Sequence, residues 1–154
     1  MREKATVYLG LGTNIGDKHD NLMRAIETLS LALGHYTALS SFVETEPWGF
    51  ESENSFLNCV VAFKTDKSPT QLLDITESAE RQLGRSAKST GGVYSDRIID
   101  IDILLYGEEI VDSERLKIPH PLMHERSFVM TPLCEIAPNA LHPVFRRRVA
   151  DIAF

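Results

Sequence analysis

From Ile99 onward the stretch Asp96-Arg97-Ile98-Ile99-Asp100-Ile101-Asp102-Ile103 alternates strictly between isoleucine and aspartate. A period of two belongs to a β-strand that is apolar on one face and polar on the other, so the chain must build a sheet covered on at least one side. Ile99, Ile101 and Ile103 then enter a core, while Asp100 and Asp102 share the opposite face about 6.6 Å apart along the backbone. Like charges that close repel and destabilise a strand with no cation nearby. Two readings stand: a solvated polar face, or a site for a hard cation such as Mg²⁺, which takes one or two carboxylates and completes its shell with water and phosphate oxygens.

The rest of the chain supplies elements to match. Ala5 to Gly10 reads as a strand, followed by a loop and a helix whose stripe is Leu22, Ala25, Ile26, Leu29 and Leu33. Tyr36 to Glu46 and Phe56 to Thr65 read as two strands joined through Pro47-Trp48-Gly49. Ser68-Pro69-Thr70-Gln71 opens a second helix, with Ser68 as cap, Pro69 in the first turn and Gln71 reaching back. Leu72, Ile75, Ala79 and Leu83 form its stripe, Gly84 ends it, and Ile98 to Tyr106 is a strand again. The order βαββαβ is the split βαβ pattern of a ferredoxin-like α+β sandwich. Two helices are expected on one face of a mainly antiparallel sheet, with the other face and its loops left for function and a C-terminal extension beyond. At 154 residues, a single domain spanning 1–154 is expected.

Charge and cysteine content narrow the function. Twenty-two acidic against 16 basic residues give a formal charge of −6, which argues against a nucleic-acid partner. The two cysteines, Cys59 and Cys134, sit in apolar settings and are expected to be buried thiols in a reducing compartment. No apolar run is long enough to span a membrane, and Met1-Arg2-Glu3-Lys4 leads into no signal-peptide core. A cytoplasmic monomer is expected.

Familiar motifs fail on spacing. Gly10-Leu11-Gly12-Thr13-Asn14-Ile15-Gly16 places its third glycine one residue too late for a dinucleotide fingerprint, and no glycine is followed by lysine as a Walker loop requires. His120 and His124 have the i, i+4 spacing of a zinc pair but lack the further ligands and catalytic glutamate that such sites use. There is no nucleophile elbow around any serine. Arg85 and Arg97 bracket a polar loop containing Lys88 and bring positive charge to both its ends. Trp48, Phe56 and Asn58 together offer aromatic faces and an amide, which suit a flat heterocycle as well as an ordinary hairpin core.

As a set these residues resemble the 6-hydroxymethyl-7,8-dihydropterin pyrophosphokinase family of folate biosynthesis. The resemblance runs through Tyr8-Leu9-Gly10-Leu11-Gly12-Thr13-Asn14, Thr45-Glu46-Pro47, Phe56-Leu57-Asn58, Arg97-Ile98-Ile99-Asp100-Ile101-Asp102 and Ile118-Pro119-His120-Pro121, and continues from Arg126 to Pro132 and through Glu135-Ile136-Ala137-Pro138. It implies transfer of the β,γ-diphosphate of ATP to the hydroxymethyl group of the reduced pterin, releasing AMP. By matched position, Asp100 and Asp102 would hold two Mg²⁺ ions, and Arg85 and Arg97 would join them in catalysis. Thr45, Glu46, Trp48, Phe56, Asn58 and Phe128 would line the pterin pocket, with Tyr94 closing over it. Glu80, Arg85, Arg97, Ile103, Arg115, His120 and Arg126 would contact ATP. The chain departs from the family at Tyr94-Ser95-Asp96, where many members carry Trp-Gly-Pro, and at Lys88 and Lys117.

Two other classes fit parts of the pattern. A regulatory module on the same fold would bind a metabolite without turning ATP over. A two-metal phosphodiesterase would use the aspartate pair, but the acidic balance gives it no basic groove.

Overall fold

The structure is a computed structural model that describes residues 3–45, 55–84 and 98–152. Strand β1 (Ala5–Thr13) leads into helix α1 (Lys18–Leu33). Asp17 caps that helix by accepting the Asp20 amide at 3.0 Å. Leu22, Ala25, Ile26 and Leu29 form its buried stripe, and Gly34, at φ +88°, closes it by donating its N–H to the Ser30 carbonyl.

After β2 (Ala38–Leu39), β3 (Val43–Thr45) and β4 (Phe56–Thr65) comes α2 (Pro69–Gln82). Its capping box is complete, with Gln71 N–H donating to Ser68 Oγ and Ser68 N–H to Gln71 Oε1. Gly84 ends the turn beyond it at φ +102°. Strand β5 (Asp100–Tyr106) follows, then a hairpin of β6 (Val111–Asp112) and β7 (Lys117–Ile118), helix α3 (Ser127–Ile136), and a second hairpin of β8 (Leu141–His142) and β9 (Arg147–Arg148).

The main sheet runs β2-β4-β1-β5, with β3 also on β4, and every pairing is antiparallel. The fold is thus a mixed α/β arrangement on an antiparallel sheet with three helices among the described residues. On one face, Val7, Leu9, Leu11, Val61, Phe63, Ile99, Ile101 and Ile103 pack against α1 and α2. The sheet's register shifts between Tyr8 and Leu9, which pair with Leu105 and Ile103 and leave Leu104 as an extra residue. The bulge switches the alternation, so that Leu104 and Leu105 join the opposite cluster while Tyr106 returns to the helix-side core.

Four expectations need correction. The run from Tyr36 to Glu46 is not one strand. It breaks after Leu39, where Ser40 takes over the ladder, donating its N–H to the Val60 carbonyl and accepting the Val60 N–H on Oγ. Ser41 turns away to Glu135 of α3, whose Oε2 accepts its N–H at 2.9 Å; serine hydroxyls that bond backbone groups compete with regular strand pairing. The first strand runs to Thr13 rather than ending at Gly10, because Gly10 and Gly12 both keep partners on β4 and β5. The face expected to be open is partly covered: α3 lays Val129, Met130 and Leu133 against Val60, Leu104 and Leu105. Of the two cysteines, Cys59 is buried, its thiol pushed up to about 12 by burial, whereas Cys134 is only partly buried.

Candidate active site

The α3 side of the sheet gathers most of the candidate residues the structure describes. Alternation places Tyr8, Gly10 and Gly12 on this face of β1, Phe56, Asn58 and Val60 on this face of β4, and Asp100 and Asp102 on this face of β5. The register aligns them in two rows, Asn58–Gly12–Asp100 and Val60–Gly10–Asp102. Each aspartate therefore faces a glycine on the neighbouring strand. Adjacent strands lie about 4.8 Å apart, so Asn58 and Asp100 stand about 10 Å from one another across a floor without side chains.

At Gly12 the floor leaves no room for one, and at Gly10 a side chain would sit against Leu104. A Cβ on Gly12 would come within 2.7 Å of Asn58 Oδ1, and one on Gly10 within 3.4 Å of the Leu104 side chain. Asn58 is 5% exposed and donates from Nδ2 to Thr45 Oγ1 at 3.2 Å, which sets the direction of its amide. The first residues of α3 close the cleft from above. Arg126 is the N-terminal cap residue of that helix, its carbonyl accepting the amides of Val129 and Met130, and its guanidinium lies 5.8 Å over the Phe128 ring. The resulting cleft, open to solvent, is lined by Gly12, Thr45, Phe56, Asn58, Asp100, Asp102, Arg126 and Phe128 among others.

Charge is concentrated around Asp102. Its Oδ2 lies 4.0 Å from Arg126 Nη1 and 3.9 Å from His120 Nε2. Arg126 is only 7% exposed, so its charge acts through little water. His120 has its pKa pushed down to about 4, chiefly by burial and next by the Arg126 charge, with Asp100 opposing. The ring is neutral near pH 7, and since its Nδ1 accepts the Leu122 N–H at 3.2 Å, the hydrogen-bond pattern assigns the ring proton to Nε2, on the Asp102 side. The His120 loop is tied to the bulge by its own N–H, which donates to the Leu104 carbonyl.

The structure thus brings together Thr45, Phe56, Asn58, Asp100, Asp102, Arg126 and Phe128, with His120 against Asp102. Other candidates lie apart. Ile103 buries its side chain in the helix-side core, so it offers a ligand only its backbone. Arg115 is half exposed on the β6–β7 hairpin and donates to Asp74 Oδ1 at 2.5 Å and Glu77 Oε1 at 2.9 Å on α2. Glu80 reaches the outer edge of β5 and accepts the Ile101 N–H at 2.8 Å. His124 lies edge-on to Phe145 and 3.7 Å from Glu125. Glu46, Trp48, Arg85, Lys88, Tyr94 and Arg97 lie outside the described residues. Sequence reasoning missed Gly10 and Gly12 as site residues. Their signal was present: two alternate glycines on a strand, matching in spacing the two alternate aspartates.

Residues 8–138 match the family described as 7,8-dihydro-6-hydroxymethylpterin-pyrophosphokinase (HPPK). The chain belongs to this family. Among its relatives, the 2-amino-4-hydroxy-6-hydroxymethyldihydropteridine pyrophosphokinase of Porphyromonas gingivalis is 53% identical over 140 residues, covering 90% of this chain and 95% of that protein. The Aquifex aeolicus protein of the same description is 43% identical over 147 residues, 96% and 89% of the two chains. In fold, the chain is similar to the HPPK-DHPS protein of Plasmodium falciparum solved with pteroate, with TM-score 0.78 at 15% identity. That likeness covers 99% of this chain and 44% of the longer one. This HPPK is accordingly a pyrophosphokinase of folate biosynthesis.

Among the described residues no group of three or more His, Cys, Asp or Glu side chains gathers as a metal centre. Two carboxylates on one strand face suit instead a hard cation that keeps much of its shell for water and phosphate oxygens. With glycines opposite both, the pair has open space in which to receive one.

Proposed function

We propose that this HPPK moves the β,γ-diphosphate of ATP to the hydroxymethyl oxygen of 6-hydroxymethyl-7,8-dihydropterin, with AMP as leaving group. The observation that carries this is the single row Asn58–Gly12–Asp100, which joins a recess lined by Phe56, Thr45 and Phe128 to an acidic pair within one cleft. On this reading Asn58 and Thr45 hydrogen-bond the pterin, and Phe56 and Phe128 offer ring faces to it. Glu46, Trp48 and Tyr94 complete that pocket by the family's pattern.

Asp100 and Asp102 would hold Mg²⁺, two ions by the family's pattern, and their oxygen donors and open surroundings fit it. Bound there, the cation supplies charge neutralisation for the phosphate chain. Phosphoryl-type transfer asks the protein mainly for alignment and electrostatic stabilisation. Arg126, buried beside Asp102, presents its charge at the acidic end of the cleft, and neutral His120 presents a donor there. Arg85 and Arg97 add charge on the phosphate side. The backbone of Ile103 suits the nucleotide base: Ile101 turns its N–H outward to Glu80, and strand alternation turns Ile103 the same way. Arg115 extends the nucleotide surface along α2.

The strand order supports the ferredoxin-like description, since merging β2 with β3 gives four antiparallel strands with the first and last paired at the centre and edge. The same reading takes the chain as one domain and a cytoplasmic monomer with small-molecule substrates.

The deciding experiment mixes protein, Mg²⁺, ATP and the hydroxymethylpterin and resolves nucleotides and pterins by chromatography, with a pterin-free control. Pterin-dependent AMP with diphosphorylated pterin is the expected result. ADP in place of AMP would mean that a different phosphorus is attacked, and folded protein without turnover would favour a metabolite-binding module.

A further inference from the structure

The aspartate pair sits on a strand that has a ladder on one side only. Strand β5 lies at the edge of the described sheet, with β1 as its one sheet neighbour. The residues directly opposite Asp100 and Asp102 on β1 are Gly12 and Gly10, so the position of the carboxylates follows that of their own strand backbone. Repulsion between the two charges also works to splay the strand. Between them is Ile101, whose side chain is buried under the helices and whose N–H faces the outer edge.

Glu80 meets that N–H. It is 9% exposed, on the buried stripe of α2 with Leu72, Thr76 and Ala79, and its Oε2 accepts the Ile101 amide at 2.8 Å. Taking a carboxylate out of water is costly unless it is hydrogen-bonded, and a charge-assisted bond to a backbone N–H is among the stronger ones a protein makes. Its position is reached by ordinary helix geometry: Thr76 and Glu80 are i and i+4 on one face. The bond pins the midpoint of Asp100-Ile101-Asp102 to α2, from the side opposite β1.

We propose that Glu80 is a positioning residue for the reaction: by holding the Ile101 amide it fixes the strand segment between Asp100 and Asp102 and thereby the spacing and direction of their carboxylates. The proposal rests on the reading of that pair as the cation-binding group. It assigns Glu80 an action through the backbone, in place of direct contact with nucleotide or cation. The two roles differ in what they need. Accepting an N–H needs an oxygen, which glutamine also has, whereas neutralising or coordinating needs the negative charge.

The test compares E80Q, E80A and E80M, the last filling similar volume without a side-chain oxygen. In the protein alone, without metal or nucleotide, hydrogen exchange of the Ile101 amide is followed by NMR. Exchange is expected to quicken about tenfold or more in E80A and E80M and to stay within about threefold of the parent in E80Q. With Mg²⁺ titrated against ATP and pterin, E80A and E80M are expected to need about tenfold more Mg²⁺ and to lose kcat by a similar factor, with the KM for pterin unchanged. E80Q recovers most of both.

Unchanged Ile101 exchange in E80M overturns the proposal, and so does an E80Q as impaired as E80A. Should E80A fail to fold, E80Q against E80M decides alone. Absence of pterin-dependent AMP from the parent protein would defeat the functional reading instead, and the exchange measurement would still decide whether Glu80 holds the strand.

Discussion

The two faces of strands β1 and β5 are built from the same ten or so residues by opposite rules. Toward α1 and α2 the side chains are Leu9, Leu11, Ile99, Ile101 and Ile103, all buried. Toward α3, in the stretch over the cleft, they are two glycines and two aspartates, with the aspartates left partly exposed. One face holds the strands in place through apolar burial, worth roughly 1.5–3 kcal/mol for each such side chain. The other gives up packing and leaves the backbone and the carboxylates lining a cleft. The rigidity of the reactive face is therefore borrowed through the sheet from the inert one.

Substitutions on adjacent positions of β5 should separate these roles sharply. On the proposed reading, Asp102→Ala is expected to lower turnover about a thousandfold by removing charge that a bound cation would need. Pterin affinity should change little, and the thermal midpoint should stay within about 3 °C. Ile101→Ala should do the reverse, costing about 3 kcal/mol of stability through a cavity in the helix-side core while the folded fraction still turns over. Turnover against pterin binding by fluorescence titration, with denaturant unfolding of both variants, measures the split; equal loss of stability in the two would erase it.

Gly12→Ala probes the floor itself. Its new Cβ would meet Asn58 Oδ1 at 2.7 Å, so the amide that Thr45 orients has to move. The expected result is about a tenfold rise in the KM for pterin with kcat less affected, the size of one misdirected hydrogen bond. The adjoining Leu11→Val, on the helix side, should leave that KM unchanged and lower stability by about 1 kcal/mol. A Gly12→Ala enzyme that binds pterin normally would show that Asn58 does not hold the ring.

The inert face was legible in the sequence and the reactive face only half so. The apolar stripe of α1, the capping box at Ser68 and the alternation around Asp100 are local patterns, and local patterns survive reading along the chain. Asp100, Asp102, Asn58 and Phe56, which line one cleft, stand out along the chain as candidates because their chemistry is conspicuous. Gly10 and Gly12 do not, since what they do depends on a register that sets them opposite the aspartates and Asn58. Helix α3 escaped for a related reason: Pro132 lies inside it and no side-chain cap marks its start, so its face on Val60 and Leu104 exists only in three dimensions. The break at Ser40 likewise depends on Val60 and Glu135, 20 and 94 residues away from the serines they bond.

Protonation offers the gentlest way to tell the faces apart. The helix-side core is mainly apolar, whereas the α3 side holds a buried histidine, His142, and a partly buried one, His120. Burial lowers both pKa values, aided at His120 by Arg126 and at His142 by His124; at His142 its backbone hydrogen bond opposes the shift. In the unfolded chain each takes up a proton near pH 6.5, while folded His120 waits until about 4. Between those values the unfolded state binds more protons, so stability rises with pH and is lost as pH falls. From pH 6.5 to 5.5 His120 alone is expected to remove about 1 kcal/mol from the metal-free protein. Urea unfolding at a series of pH values in His120→Asn should show a shallower decline than the parent, and His142→Asn a second, separate flattening. An unchanged slope in both would mean that acid reaches the molecule through its carboxylates instead, and that the α3 side is no more sensitive to protons than the core beneath it.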